Sequence, residues 1–253
     1  MLDDYILINS KFETAPYINI YPLGDVHLGS KECDMETLNE WIEMVKNDPY
    51  GYVVIVGDMM NMGLKNAKSN VYEETLSPMQ QKELCFEVLN PIADRILAGC
   101  SGNHEYRAVK EVGMNPLYDV FCRMRIEDRY RENACFLKLT VGKAGKNNNT
   151  YGIVLTHGKS KKKDFDWTYG VDGADVFISG HTHLGTHEPG GKIRMDLSHD
   201  RIKLVDYQNI VVVPFQTYGG YAMRGKYMPG VTGKFQRIYF DGSTKNVGYG
   251  YNL

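Results

Sequence analysis

Hydrophobic and polar positions follow two rhythms along this chain, and the change comes near its midpoint. From Tyr17 to Leu23 an apolar run reads as the first core strand. Asp34 then offers a helix N-cap. Leu38, Trp41, Ile42 and Val45 follow at i, i+3, i+4, i+7 spacing, which lays one apolar stripe along a helix. Tyr52 to Val56 is a short β-branched run ending in Gly57-Asp58, a second buried strand. Strand, helix, strand in succession is the pattern of an α/β domain. After a polar, irregular stretch from 61 to 76, Ser77-Pro78-Met79-Gln80 combines an N-cap, a first-turn proline and a capping-box glutamine. Cys85, Val88, Leu89, Ile92 and Ile96 continue the apolar face of that helix, and Leu97 to Cys100 predicts a strand stub. Pro116 opens another helix that the pattern carries to about Tyr130, with Leu117, Val120, Phe121 and Met124 on one side.

Beyond this point β-prone runs take over. Cys135 to Val141 and Tyr151 to Leu155 flank a Gly145-Lys146-Asn147-Asn148-Asn149 loop and predict a hairpin. Asp175 to Ser179, Lys203 to Val213, Phe235 to Phe240 and Asn246 to Tyr251 predict further strands separated by glycine turns. The first half is helix-rich and the second β-rich. No Pro/Ser-rich linker or internal repeat divides them, so residues 1–253 are expected to form one domain, with 184–253 as its β-rich C-terminal part.

Composition narrows the function classes. A formal charge of −2 argues against a chain built mainly to coat nucleic acid. The five cysteines are odd in number and far apart, with no C-x-x-C pair, as expected of thiols in a reducing compartment. Met1-Leu2-Asp3-Asp4-Tyr5 is acidic where a secretory signal would be basic, and no run approaches the roughly 18 apolar residues of a membrane span. The expectation is a cytoplasmic chain with no membrane partner.

The chemistry sits in five short segments: Asp25-Val26-His27, Gly57-Asp58-Met59-Met60-Asn61, Gly102-Asn103-His104-Glu105, Thr156-His157-Gly158 and Gly180-His181-Thr182-His183. Each follows an apolar stretch, so each falls where a strand ends and a loop begins. Five of the seven histidines lie in this set, and His187 and His199 are read as ordinary surface residues. Oxygen and imidazole donors without thiolates suit Mn, Fe or Zn rather than a structural cysteine site. Two ions about 3.5–4 Å apart polarise a phosphoryl group and lower the pKa of bound water to about 7. Asp25 and His27 are two positions apart, as are His181 and His183, so an extended backbone would put each pair on one side. Asp58 follows a glycine at a strand end, where its carboxylate could reach between two ions.

In this order the motifs resemble the calcineurin-like metallophosphoesterase superfamily, whose pattern is D-x-H, G-D, G-N-H-[DE], a lone H and G-H-x-H. Every element is present, between residues 25 and 183. Residues 184–253 loosely resemble single-domain members encoded by phages and prophages. The resemblance implies an α/β fold of two stacked mixed β-sheets flanked by helices, a four-layer α/β/β/α sandwich. It implies two divalent metal ions, Mn foremost with Fe or Zn as alternatives. One would be held by Asp25, His27, Asp58 and His183, the other by Asp58, Asn103, His157 and His181. His104 would serve the departing oxygen, with Glu105 as its orienter. The implied activity is hydrolysis of a phosphodiester or phosphomonoester by attack of a metal-bound hydroxide.

Because Asn103 is neutral, that ligand set carries two negative charges against four positive ones, a surplus that attracts a phosphate. Arg107 could clamp that phosphate or form a salt bridge at a helix start. Lys159, leading the basic run Lys159-Ser160-Lys161-Lys162-Lys163, could steer a phosphate or simply be solvated. The stretch from Tyr218 to Tyr227 could stack a base, but a surface turn or subunit contact accounts for it as well. A small-molecule phosphoester is favoured over nucleic acid. The alternatives are a nuclease of the same superfamily, whose usual capping domain and coiled-coil insertion are missing here, and an inactive scaffold, which typically loses ligands. The sequence leaves the oligomeric state open.

Overall fold

The computed structural model describes residues 5–65, 67, 71–143, 147–160, 164, 167–168 and 170–252. Two six-stranded sheets stack face to face. The first has the order β1 (Ile8–Phe12), β6 (Ala134–Lys143), β7 (Asn147–Thr156), β8 (Val176–Ser179), β10 (Arg201–Val211), β9 (His187–Asp196). The second runs β12 (Val247–Asn252), β11 (Phe235–Asp241), β2 (Tyr17–Leu23), β3 (Gly51–Ile55), β4 (Ile96–Cys100), β5 (Tyr130–Arg131). Both are mixed: β2, β3, β4 and β5 are parallel, as are β7, β8 and β10, while β11 and β9 join antiparallel.

Burial on both faces explains the continuous apolar runs of β2 and β3. Ile18, Ile20 and Val54 face the core between the sheets, with Leu137, Ile153, Ile178 and Ile210 opposite. Tyr21, Leu23, Val53 and Ile55 face helices α1 (Met35–Asn47), α2 (Pro78–Leu89) and α4 (Pro116–Arg123), and α3 (Asn103–Val112) lies between the last two in the chain. On the outer face of the first sheet, Val154, Phe177 and Tyr207 pack under Val171 and Ala174. The expected α/β architecture of two stacked sheets with flanking helices is the observed one.

The helix signals act as read. Asp34 accepts from the Thr37 N–H at 3.0 Å, and Leu38, Trp41, Ile42 and Val45 are buried. Ser77 and Gln80 close a capping box at the start of α2. Two helices end sooner than the pattern implies. α2 stops at Leu89, Ile92 lies in a 3-10 segment over Asn90–Arg95, and Ile96 begins β4. Pro91 is the reason, since it has no N–H and its ring clashes with the carbonyl four residues back. α4 stops at Arg123, and the left-handed Arg125 (φ 60°) turns the chain into a short 3-10 segment and then β5. The β6–β7 hairpin pairs Lys143 with Asn147, so Asn147 to Asn149 belong to the strand rather than the loop. Residues 145 and 146 of that loop lie outside the described residues. β1 and β9 had no counterpart in the pattern reading, and the 218–227 stretch contains a short helix, α5 (Gly220–Arg224). No disulfide joins the cysteines, and among the described residues no helix is long and apolar enough to cross a membrane.

Candidate metal centre

All five motifs converge where β2, β3, β4, β7 and β8 end, the C-terminal side on which sheets with parallel strands carry their ligands. The loops after β2 and β3 run side by side: Val26 and His27 N–H both donate to the Asp58 carbonyl (2.9 and 3.0 Å), and Leu28 N–H to the Met59 carbonyl (2.9 Å). Asp25, His27, Asp58, His181 and His183 all have positive φ, between 50° and 70°. The expectation that an extended backbone places Asp25 beside His27, and His181 beside His183, is therefore wrong. A left-handed turn at each of these five residues aims the side chains instead, a strained conformation of the kind concentrated at functional sites.

Two glycines make this packing feasible. A Cβ on Gly57 would stand 2.1 Å from the Gly102 nitrogen, and one on Gly102 would stand 2.1 Å from Asp58 Oδ1. Only backbone without side chain lets the second and third motifs touch.

Donor atoms gather around Asp58 and Asp25. Asp58 Oδ1 accepts from the His104 N–H at 2.8 Å, leaving Oδ2 to face three imidazoles: His157 Nε2 at 3.1 Å, His104 Nε2 at 3.7 Å and His27 Nε2 at 3.8 Å. Asp25 accepts from the His181 N–H, and its Oδ1 lies 3.4 Å from His183 Nε2. His27 Nε2 and His183 Nε2 point at each other across 3.2 Å. Asn103 Oδ1 lies 2.7 Å from His181 Nδ1 and 3.0 Å from His157 Nε2. Among the described residues three groups able to hold a metal result: Asp25, His27 and His183; Asp58, His157 and His181; and His27, Asp58 and His104.

The outer nitrogens of these rings are already committed. His157 Nδ1 is 2.8 Å from the Val56 carbonyl and His27 Nδ1 is 3.2 Å from Asn61 Oδ1, so both rings donate outward through Nδ1 and turn Nε2 toward the cluster. Asn61 in turn donates to Glu74 Oε1 (2.6 Å), and Gln81 donates to Glu74 Oε2 (2.8 Å). This amide–carboxylate relay behind His27 was missed in the sequence, where residues 61–76 read as irregular. Nothing in its spacing marks it. The donor set of oxygens and inward-turned imidazoles fits divalent cations.

Charge is balanced inside the cluster. Burial would raise the Asp58 carboxyl, but His157 and His104 hold it well below the usual range. Asp25 is likewise held low despite burial, by His183. Burial alone would lower His157, yet the Asp58 carboxylate raises it to about 10. His27 is pushed well down by burial and by its neighbour His104.

His104 is neutral. Burial foremost, with Arg107 adding, lowers it to about 4. Its Nδ1 donates to the Asn61 carbonyl (2.6 Å), and Arg107 donates to its Nε2 (2.9 Å) and to the Asn61 carbonyl (3.2 Å). Glu105 does not orient this ring. Fully buried, it accepts from the Asp58 and Gly102 N–H groups (both 2.9 Å) and from Met60 N–H (3.0 Å), joining the second motif to the third. Burial and the nearby Asp58 raise its carboxyl to about 7. Lys159 is exposed, and its backbone N–H donates to Asp164 Oδ1 at 2.8 Å. Lys161 to Lys163 lie outside the described residues. In the 218–227 stretch, Tyr218 bonds the Tyr227 carbonyl and Arg224 pairs with Glu73, while His187 stacks on Tyr249.

A chain in which strand-end loops from two stacked sheets converge on a cluster of aspartates, histidines and an asparagine has the make-up of a metallohydrolase. This one belongs to the calcineurin-like phosphoesterase family, whose model matches residues 18–207. No curated protein matches it. Among solved structures, the calcineurin-like phosphoesterase YfkN of Bacillus subtilis is similar at 10% identity and a TM-score of 0.43, over 94% of this chain and 91% of that one. The NAD nucleotidase of Haemophilus influenzae is similar at 10% identity and 0.43, over 95% of this chain and 50% of that one. Vps29 of Entamoeba histolytica, solved with zinc, is similar at 11% identity and 0.35, over 93% and 98%.

Proposed function

We propose that the chain hydrolyses a small-molecule phosphodiester or phosphomonoester with two divalent ions, Mn foremost and Fe or Zn as alternatives. Asp25, His27, Asp58 and His183 would hold one ion, and Asp58, Asn103, His157 and His181 the other. The observation that carries this reading is Asp58 Oδ2, which lies 3.8 Å from His27 Nε2 and 3.1 Å from His157 Nε2 while its partner oxygen is pinned by the His104 N–H. Such ions neutralise phosphate charge and activate water near neutral pH.

The chain's own groups do the rest. Asn103 contributes an oxygen without a charge, which keeps the centre attractive to an anion. Glu105 fixes the loop that carries Asp58, and the Asn61–Glu74 relay fixes His27. Arg107 binds the incoming phosphoryl oxygens and in doing so releases His104 Nε2, which takes up a proton from solvent beside the Asp58 carboxylate and passes it to the departing oxygen. The slightly acidic chain supports a small substrate over a polynucleotide.

The test is a panel with Mn, Fe, Zn and Mg against an aryl phosphomonoester, an aryl phosphodiester, cyclic nucleotides, and single- and double-stranded DNA. Turnover of a small ester with a shallow salt dependence supports the reading. Cleavage of DNA that falls steeply with salt would replace it with the nuclease.

A further inference from the structure

The β9–β10 hairpin has its polarity reversed. Register pairs Ile193 with Leu204 and Met195 with Ile202, so these four side chains share one face, and Leu197 caps it from the turn. Each of the five is between 71% and 81% exposed. The opposite face, which carries Lys192 and Arg194, is the one turned to the body of the protein. Lys192 Nζ donates to the Thr168 and Val171 carbonyls (2.9 and 3.3 Å) and sits 5.2 Å from the Tyr207 ring, and Arg194 pairs with Asp172. A half-buried antiparallel strand pair normally turns its apolar side inward. Here basic side chains are anchored inward and aliphatic ones point to water.

The hairpin is firmly built. Asp196 ties the turn together through Ser198, His199, Arg201 and Lys203, and its two strands pair without a shift of register over ten residues each side. β9 is also an outermost strand of its sheet, where native chains usually place charge to prevent association. The five apolar side chains stand together on one exposed face, the kind of contiguous apolar patch that marks an interaction site.

We propose that this face is the interface with a second copy of the chain, packed face to face about a two-fold axis. An antiparallel hairpin face is close to two-fold symmetric, and the pairs Ile193–Leu204 and Met195–Ile202 at its centre are uncharged, with Asp206 beside Gly191 at the far end, so the aliphatic part matches itself. Packing two copies this way would cover the five exposed side chains of each at once. Charge argues against an anionic membrane as the occupant. Lys192, Arg194, Arg201 and Lys203 are matched one for one by Glu188, Asp196, Asp200 and Asp206. A membrane-binding hairpin would carry a basic surplus.

Sedimentation velocity on the full chain at tens of micromolar should give a dimer. Ile193→Lys combined with Leu204→Lys should give a monomer of half that mass, with the parent's far-UV circular dichroism and a thermal midpoint that, unlike the parent's, does not change with protein concentration. If that variant fails to fold, hydroxyl-radical footprinting of the unmodified chain serves instead, and Met195 should be protected at high concentration and oxidised on dilution. A monomeric parent, a dimer that survives both lysines, or a Met195 indifferent to concentration would each overturn the proposal. So would a monomeric parent that floats with phosphatidylcholine–phosphatidylserine vesicles.

Discussion

The two ends of the first sheet obey opposite rules. Where β7 and β8 end, His157, His181 and His183 meet Asp25, Asp58 and Asn103 in a buried network whose carboxylates and ring nitrogens are held by named partners. Where β9 and β10 turn, a rigid hairpin offers aliphatic side chains to water. Polar groups are buried at one end and apolar groups exposed at the other. Both inversions cost stability, and each is informative for that reason. The difference predicts a separation: changes at the motifs should alter metal content and turnover but not assembly, and changes on the hairpin should do the reverse.

The largest effect is expected at His104. His104→Ala should slow hydrolysis by about 10²–10⁴-fold while metal content stays intact, with a smaller loss for aryl esters, whose leaving groups barely need a proton. Steady-state kinetics across leaving groups, with elemental analysis alongside, checks this. Loss of metal would make His104 a ligand, which its grouping with His27 and Asp58 makes a real alternative.

Next comes Glu105→Gln, which replaces one of two acceptor oxygens by an NH₂ that cannot serve the N–H groups of Asp58, Met60 or Gly102. It should cost about 1–3 kcal/mol of stability by denaturant titration and loosen metal binding through Asp58. Unchanged stability would show that the staple between the two motifs contributes nothing.

Metal uptake should rise with pH. His157 is held up at about 10 by Asp58, so it keeps its proton through neutrality, whereas a metal takes only the neutral ring. Affinity should therefore increase about tenfold per pH unit for each proton displaced, and calorimetry in buffers of different ionisation enthalpy should register that proton. A pH-independent affinity around neutrality would contradict the pairing of His157 with Asp58.

The smallest effect belongs to the hairpin. The Ile193→Lys and Leu204→Lys pair should leave kcat and metal content unchanged and shift the stability of the protomer by no more than about 0.5 kcal/mol. A substantial loss of turnover would show that assembly and active site are linked.

Local chemistry was legible in the sequence; long-range choices were not. The β2 boundaries, the Asp34 cap and the Ser77 capping box depend on residues a few positions apart, and the structure reproduces them. That the five motifs meet was legible because strand ends fix where each motif emerges. Their backbone was not, since an alternating pattern suggests extension whereas Asp25, His27, Asp58, His181 and His183 are left-handed. Glu105 was assigned to its sequence neighbour because its true partners, Asp58 and Met60, lie 47 and 45 residues away. Glu74 behind Asn61 escaped for the same reason. The hairpin's β10 read correctly as a strand, but which of its faces turns inward is decided by Lys192 and the segment beneath it, and no pattern within the strand carries that information.

The central claim is a two-ion centre bridged by Asp58, and the most direct test is elemental analysis of the reconstituted chain beside Asp58→Asn. The account predicts two ions per chain in the parent and reduced occupancy of both in the variant, since one oxygen serves both groups of donors. One ion or none in the parent, or a variant that loses a single ion and keeps the other at full occupancy, would contradict it.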